Sequence, residues 1–547
     1  MDNYRVFEFY GIQQQKDGSL LPAETASDAR NIDTKDGNLS VAAGFEKEVA
    51  AAIPNTDRLL KIIPVRGRSE KFYIVGRGNI YAANGGVWST VYTFDPALTT
   101  GEIDFLQTKI GLDEFILVAT GETQIIKLNV DTDEATLFGS GEYIYEGTVQ
   151  SYDAATLTVT LTAAMTAEQQ RRAYIDGLYF GDSWAQVASY TANTLTFSTT
   201  PYTDPSAGDI AKIRGGGSNA TAGYIDKYYS RLWAAGDPEA PGRLYWSAVA
   251  GDGRSIEDWL AVDASEDASG GYVEVGEADG DPIIGIRALS NQMIIFKRYS
   301  TWRLYGDRPS TFTLERISPT AESMANSSVV TLYDQPFFLT KTGMQYYNGS
   351  AIVPADGGAP QLMKFLRTVK SVADSKGVVE NNRMYFSCRT DAGEYDNALV
   401  QYDVLTGAYM VRDGFKVADL TSYDGVVYLL TDARYLYRFE SGTTYDGENI
   451  EAYWQTQPTD LAAKYYKKQI REIIMRAEGT ALRLIVTADG QERIVDRLLW
   501  AEDNDGYFRE PLSVDLARRF SIRIENEAGS YFSVQGGFDV RLEKEFK

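Results

Sequence analysis

The sequence predicts an all-β protein: a β-propeller of about seven blades, with an inserted small β domain and a C-terminal β-sandwich. Three observations predict it. Tyr (36), Phe (23), Trp (8) and Gly (49) are plentiful against 16 Pro, as expected of many short strands joined by tight turns. One pattern recurs: an apolar run, a short polar turn, then a second run carrying Tyr or Trp. Its spacing matches that of a four-stranded blade.

The pattern occurs at 71–75 with 79–81, 113–118 with 124–128, 230–233 with 242–246 and 291–296 with 300–306. It returns at 335–339 with 344–349, 382–386 with 399–403, and 425–430 with 435–439. Successive starts lie 42, 117, 61, 44, 47 and 43 residues apart. The wide gap is one blade plus about 75 inserted residues, since a blade takes roughly 40–50. Closing the units into a ring leaves no long edge strand exposed.

Five segments follow. Residues 1–57 are an N-terminal arm closing onto the propeller, 58–138 its first blades, 139–214 the insert, 215–448 the remaining blades and 449–547 the sandwich. In the insert, Leu157, Val159 and Leu161 alternate with threonines as in a half-buried strand, and 194–198 repeats the pattern. Between them Thr166 is placed to cap a short helix. A small barrel or sandwich fits, of the kind that contacts a partner. Gly215, Gly216 and Gly217 then read as a flexible exit. In the last segment Phe520, Ile522 and Ile524 alternate with Ser521, Arg523 and Glu525, and an Asp489-Gly490 turn ends an earlier strand.

Composition narrows function. At 547 residues the chain holds about three to four domains, or one large β domain with attachments. With 44% hydrophobic and 24% charged residues it is folded rather than disordered. The net charge of −23, from 53 basic and 76 acidic residues, opposes tight nucleic-acid binding through a basic face. No histidine is present, which excludes Ser-His-Asp and Cys-His catalysis and His-ligated zinc. The single cysteine, Cys388, lies in a strand pattern and reads as a buried inert thiol. The start MDNYRVFEFY lacks the marks of a secretion signal, and no stretch reaches the roughly 18 apolar residues of a membrane helix. A soluble protein made in a cytoplasm is expected.

Motifs for chemistry are sparse. Gly76-Arg-Gly78 and the 215–217 glycines lack the Lys-Ser/Thr of a phosphate loop. The densest charge is Asp252, Glu257, Asp258, Asp263, Glu266, Asp267, Glu274, Glu277, Asp279 and Asp281, against Arg254 alone. A calcium loop counted from Glu277 meets Pro282 where an EF-hand needs Gly and Ala288 where it needs Glu. A glycosidase carboxylate pair is a second reading, with nothing to fix which two would pair. A solvated acidic loop is the plain one. Asp503-Asn504-Asp505-Gly506 reads as a turn rather than a metal site. Trp233, Tyr245, Trp246, Trp259, Trp302 and Tyr305 suit sugar stacking or blade packing, and their recurrence with the strands favours packing. The residues point to no catalytic, metal or cofactor site, and no enzyme.

Two stretches carry a resemblance. Arg30, Asn31, Asp33, Gly37, Leu39, Gly44 and Phe45 fall on the pattern RN-x-D-x-x-x-G-x-L-x-x-x-x-G-F/Y. Arg231-Leu-Trp233, Ala235-Gly-Asp-Pro238, Arg243 and Tyr245-Trp246-Ser247, followed by Trp259, fall on RLF-x-AGNP…P-x-R-x-YWS…W. Residues 294–306, with Phe296, Trp302 and Tyr305, and 341–349 resemble the next two blades. The chain resembles the tail hub, nozzle and packaged-DNA stabilisation (head-completion) proteins of tailed phages. The resemblance implies a structural virion protein of the tail or neck, assembled in the host cytoplasm. It would form a homo-oligomeric ring of sixfold order, stacked on portal, adaptor and other tail proteins, that retains packaged double-stranded DNA and conducts it without specific binding. The ten-carboxylate stretch would then face the channel and repel the phosphates. A carbohydrate-binding or glycoside-cleaving tail or receptor-binding propeller is the alternative.

Overall fold

A computed structural model describes every residue except 1, 55, 69, 100, 139–142, 181–182, 215–220, 251–255, 258, 260–266, 278, 319–323, 357–360, 463, 480–481, 500–506, 513–515 and 546–547. Seven four-stranded antiparallel sheets follow one another as the blades of a propeller. Blade 1 spans residues 59–93, blade 2 104–137, blade 3 224–274, blade 4 283–318, blade 5 330–354 and blade 6 377–417. Blade 7 takes three strands from 419–439 and its fourth, Phe45–Lys47, from the N-terminal segment.

The recurrent strand pair of the sequence is the second and third strand of every blade, as at Phe72–Gly76 with Asn79–Asn84 and Arg383–Cys388 with Asp396–Asp403. These middle strands are the most apolar because neighbouring blades cover both their faces. Separate apolar clusters fill the gaps between blades 1 and 2, 2 and 3, 3 and 4, 4 and 5, and 7 and 1. One large cluster runs through blades 5, 6 and 7 and on into the sandwich.

The insert is a single curved seven-stranded sheet from Tyr143–Asp153 to Ile210–Arg214, with its own core. Its helix, Ala167–Asp176, opens on Thr166, whose side chain accepts from Gln169 N–H while Gln169 reciprocates. Leu157 departs from the expected strand. It sits at φ +54° in the hairpin turn, and the strand begins at Thr158.

The sandwich has two six-stranded sheets, and both ends of the chain build it. Asp2–Val6, Ile32–Asp33 and Leu39–Val41 join Phe532–Lys544, Lys468–Gly479 and Tyr507–Pro511 in one sheet. Tyr10–Ile12 and Thr25–Arg30 join Tyr453–Thr456, Phe520–Asn526, Leu482–Ala488 and Gln491–Leu499 in the other. The 1–57 arm therefore serves two bodies, only Phe45–Lys47 pairing with a blade. Phe520, Ile522 and Ile524 face the core, alternating with half-buried neighbours as their pattern predicted.

Candidate functional site

The residues of the N-terminal motif meet at the seam between sandwich and propeller. Asn31 adopts φ +53° and is buried. Its side chain donates to Glu451 O at 2.8 Å and accepts from Asp413 N at 2.9 Å and Tyr445 Oη at 3.1 Å. Arg30 pairs with Asp28 at 2.8 Å and Asp413 at 3.2 Å. Gly37 turns the chain at φ +73°, where a side chain would be strained. Leu39 is fully buried opposite Val534. At Gly44 a Cβ would fall 1.8 Å from Thr444 O, so only glycine lets the chain pass. Phe45 then packs against Tyr437, Tyr445 and Phe415, ring centres 4.7, 4.9 and 5.4 Å away.

Beside this seam lies a cleft of about 670 Å³, lined among others by Asp33, Asp36, Glu380, Arg383, Asp403 and Glu440. Arg383 is its hub, 2.8 Å from Asp33, 3.2 Å from Glu440 and 3.9 Å from Asp403. Beneath it the fully buried Arg412 donates to Gln401 Oε1 and Ala43 O, both at 2.9 Å, and pairs with Glu440. Burial opposes ionisation of Glu440, but the two guanidinium groups outweigh it and hold its carboxyl below the ordinary range. Arg383 and Arg412 pair with Asp33, Asp403 and Glu440, and the arrangement ties residues 33 and 43 of the N-terminal segment to blades 6 and 7.

The propeller axis is closed by a second polar network. Asp419 accepts from Ile62 N–H at 2.7 Å, Asp104 from Ile225 N–H at 3.2 Å and Asp226 from Ala288 N–H at 2.8 Å. Each stitches one blade's inner strand to the next. Across the axis Asn326, before blade 5, donates its N–H to Glu102, before blade 2, at 3.0 Å and its side chain to Asp104 at 3.2 Å. Lys376, before blade 6, reaches Ser327 Oγ at 3.3 Å, and Lys61 lies 3.3 Å from Asp419. Burial raises the carboxyls of Glu102 and Asp226 and lowers the ammonium of Lys376. A duplex cannot thread an axis bridged by such direct bonds. Sequence reasoning missed these residues, although an aspartate in the strand before a recurrent pair was visible at 104, 226 and 419.

The blade-motif residues serve packing and hydrogen bonding in blades 3 and 4. Arg231 is buried and donates to Ser247 O at 2.6 Å, Ser269 O at 2.7 Å and Asp267 O. Trp233 packs between Trp246 and Phe312, and Trp259 against Phe138. Tyr245 Oη donates to Asp237 at 2.9 Å across the turn that holds Pro238. Phe296 packs on Phe338 of blade 5, Trp302 Nε1 donates to Ser300 Oγ at 3.1 Å, and Tyr305 is partly exposed beside Arg303.

Of the acidic stretch, Asp252, Asp258, Asp263 and Glu266 lie outside the described residues, as does 503–506. The rest flank the outer strand of blade 3, Gly271–Glu274. Glu257 pairs with Lys127 at 2.7 Å, Glu274 with Arg243 at 2.7 Å and Asp279 with the buried Lys297 at 2.7 Å. Asp267 accepts from Ser310 N–H at 3.2 Å, and Asp281 from Ser300 Oγ at 2.8 Å. Glu277 is exposed. Lys297 Nζ occupies both carboxylate oxygens of Asp279, and five of these six carboxylates are engaged within the chain.

No family model matches the chain, and no curated protein matches it. Among solved structures it is similar in part to the computationally designed Ika8 protein, at 9% identity and TM-score 0.37 over 72% of this chain and 99% of that one. BamB from Moraxella catarrhalis aligns at 10% identity and TM-score 0.35, over 73% and 98%. The Neurospora crassa Pan2 WD40 domain aligns at 11% and 0.26, over 75% and 88%. The seven sheets described above establish the propeller on their own. Among the described residues no helix is long and apolar enough to cross a membrane.

Proposed function

We propose that this protein is a structural subunit of a tailed-phage virion, forming an oligomeric ring at the tail or neck that helps retain packaged DNA and conducts it during ejection. The observation that carries this reading is the work done by the motif of residues 30–45. This motif, one of the stretches that bear the family resemblance, locks sandwich and propeller together, from Asn31 at the sandwich to Phe45 in blade 7. They form a mechanical joint, as suits a protein that works by shape. Charge supports the same reading, because a surface of net −23 lets a duplex pass without adhering. The bridged propeller axis means that any conduit runs through a lumen bounded by several copies.

Electron microscopy of purified protein and of particles tests this. Rings of the full chain, and density at the portal vertex, are the expected result. Peripheral projections on the particle, with binding or turnover on a glycan array, would instead establish a receptor-binding propeller and end the proposal.

A further inference from the structure

Residues 464–467 turn into the strand that begins at Lys468, and Lys468 meets Ala517 in a two-way backbone bridge at 2.9 and 3.0 Å. Lys468 is buried and its Nζ donates to Arg518 O at 2.7 Å, fixing the two segments from beneath. This bridge brings Lys467 next to Arg518 at one end of the sandwich, with Lys464, Tyr465 and Tyr466 in the turn before it and Arg519 following, all six exposed. Tyr465 is 84% and Tyr466 48% accessible. Among the described residues, none of the four cationic side chains takes part in an ion pair or hydrogen bond. Two carboxylates bordering this end serve backbone groups, while the exposed Glu545 adjoins Lys467 through its N–H, 3.0 Å from Lys467 O. Asp489 accepts from Arg518 and Arg519 N–H, both at 2.9 Å, and Asp460 from Ala462 N–H at 3.1 Å.

Four unpaired cations and two exposed tyrosines are a marked concentration in a chain of net charge −23. Tyrosine and arginine are also the residue types enriched where proteins meet. Copies of so acidic a chain repel one another unless a positive patch on one faces the acidic surface of the next. A contact between two different surfaces propagates head to tail, which closes into a ring when the rotation allows. We propose that this Lys-Tyr-Tyr-Lys/Arg-Arg patch docks on the acidic surface of a second copy of this chain. A nucleic acid suits it less well, since a long polyanion would also meet the repelling body.

This inference rests on the ring reading above, and the test separates the two. Native mass spectrometry of the full chain follows assembly against concentration and salt for wild type, for Lys464→Glu/Lys467→Glu/Arg518→Glu, and for Tyr465→Ala/Tyr466→Ala. Oligomers of the wild type that weaken with salt are expected, together with at least a tenfold (about 1.4 kcal/mol) loss of assembly affinity in each variant. Unfolding midpoints should stay unchanged, and the tyrosine variant covers the case in which charge reversal prevents folding. Wild type that assembles alongside variants that assemble equally well overturns the patch and leaves the ring. Wild type that stays monomeric at every concentration overturns both. A gel shift of duplex DNA by wild type, lost in the charge variant while assembly persists, makes the patch a nucleic-acid site and overturns the proposal.

Discussion

Replacing Phe45 by alanine tests how the propeller is closed. Phe45 pairs with Phe439, and bringing residues about 390 apart together costs roughly 5 kcal/mol in loop entropy alone. The closing strand is three residues long, and its few ladder bonds at about 1 kcal/mol each share that cost with the ties at Asn31, Asp33 and Ala43. The Phe45 ring is the apolar part of this closure at blade 7, buried among Tyr437, Tyr445 and Phe415. Truncation of a buried Phe costs about 3–5 kcal/mol. That is the scale of the closure term, so local opening of blade 7 should rise by roughly two to three and a half powers of ten. Hydrogen exchange read on Leu436–Phe439 measures it, with Arg231–Asp237 of blade 3 as the internal control. Unchanged protection at Leu436–Phe439, or equal loss in both blades, would refute the idea that this ring is what latches the propeller.

Four further outcomes are expected. Arg412→Met fits the space of a fully buried side chain but strands Glu440, so a loss of about 3–5 kcal/mol in denaturant stability should be partly recovered by adding Glu440→Gln. Glu440 and Asp279 have carboxyls held low, each by neighbouring cations acting against burial. Their stabilisation is complete above the unfolded carboxylate value of about 4.3 and is lost as pH falls through the lower folded values, so Glu440→Gln should flatten the acid limb of a melting-temperature profile. Glu102 and Asp226, raised by burial, act with the opposite sign, and Asp226→Asn should relieve part of the decline as pH climbs past about 4. Burial pushes the Cys388 thiol far above its ordinary range, so a thiol reagent should label native protein negligibly and label it fully only on unfolding, whereas prompt labelling would place Cys388 at the surface.

Local patterns were legible where one short segment meets one fixed environment. Middle blade strands must be apolar on both faces, so all seven recurrent pairs stand at their expected places. Thr166 could be read as a cap because its partner is three residues away. Leu157 could not be placed, because an alternating pattern is silent about where a hairpin turn begins. The acidic stretch looked bare because its counter-charges, Lys127, Arg243 and Lys297, come from other strands.

The chain alone dictates an all-β build, the repeat that becomes the blades, and a histidine-free inventory that rules out imidazole chemistry, since composition and short-range periodicity act within a few residues. Folding in three dimensions settled how the two ends are used. Residues 2–41 complete a sandwich whose other strands begin near 453, and 45–47 latch the last blade. Antiparallel pairing depends on edges that exist only once both partners are folded, and a strand of three residues carries no mark of the partner it will find.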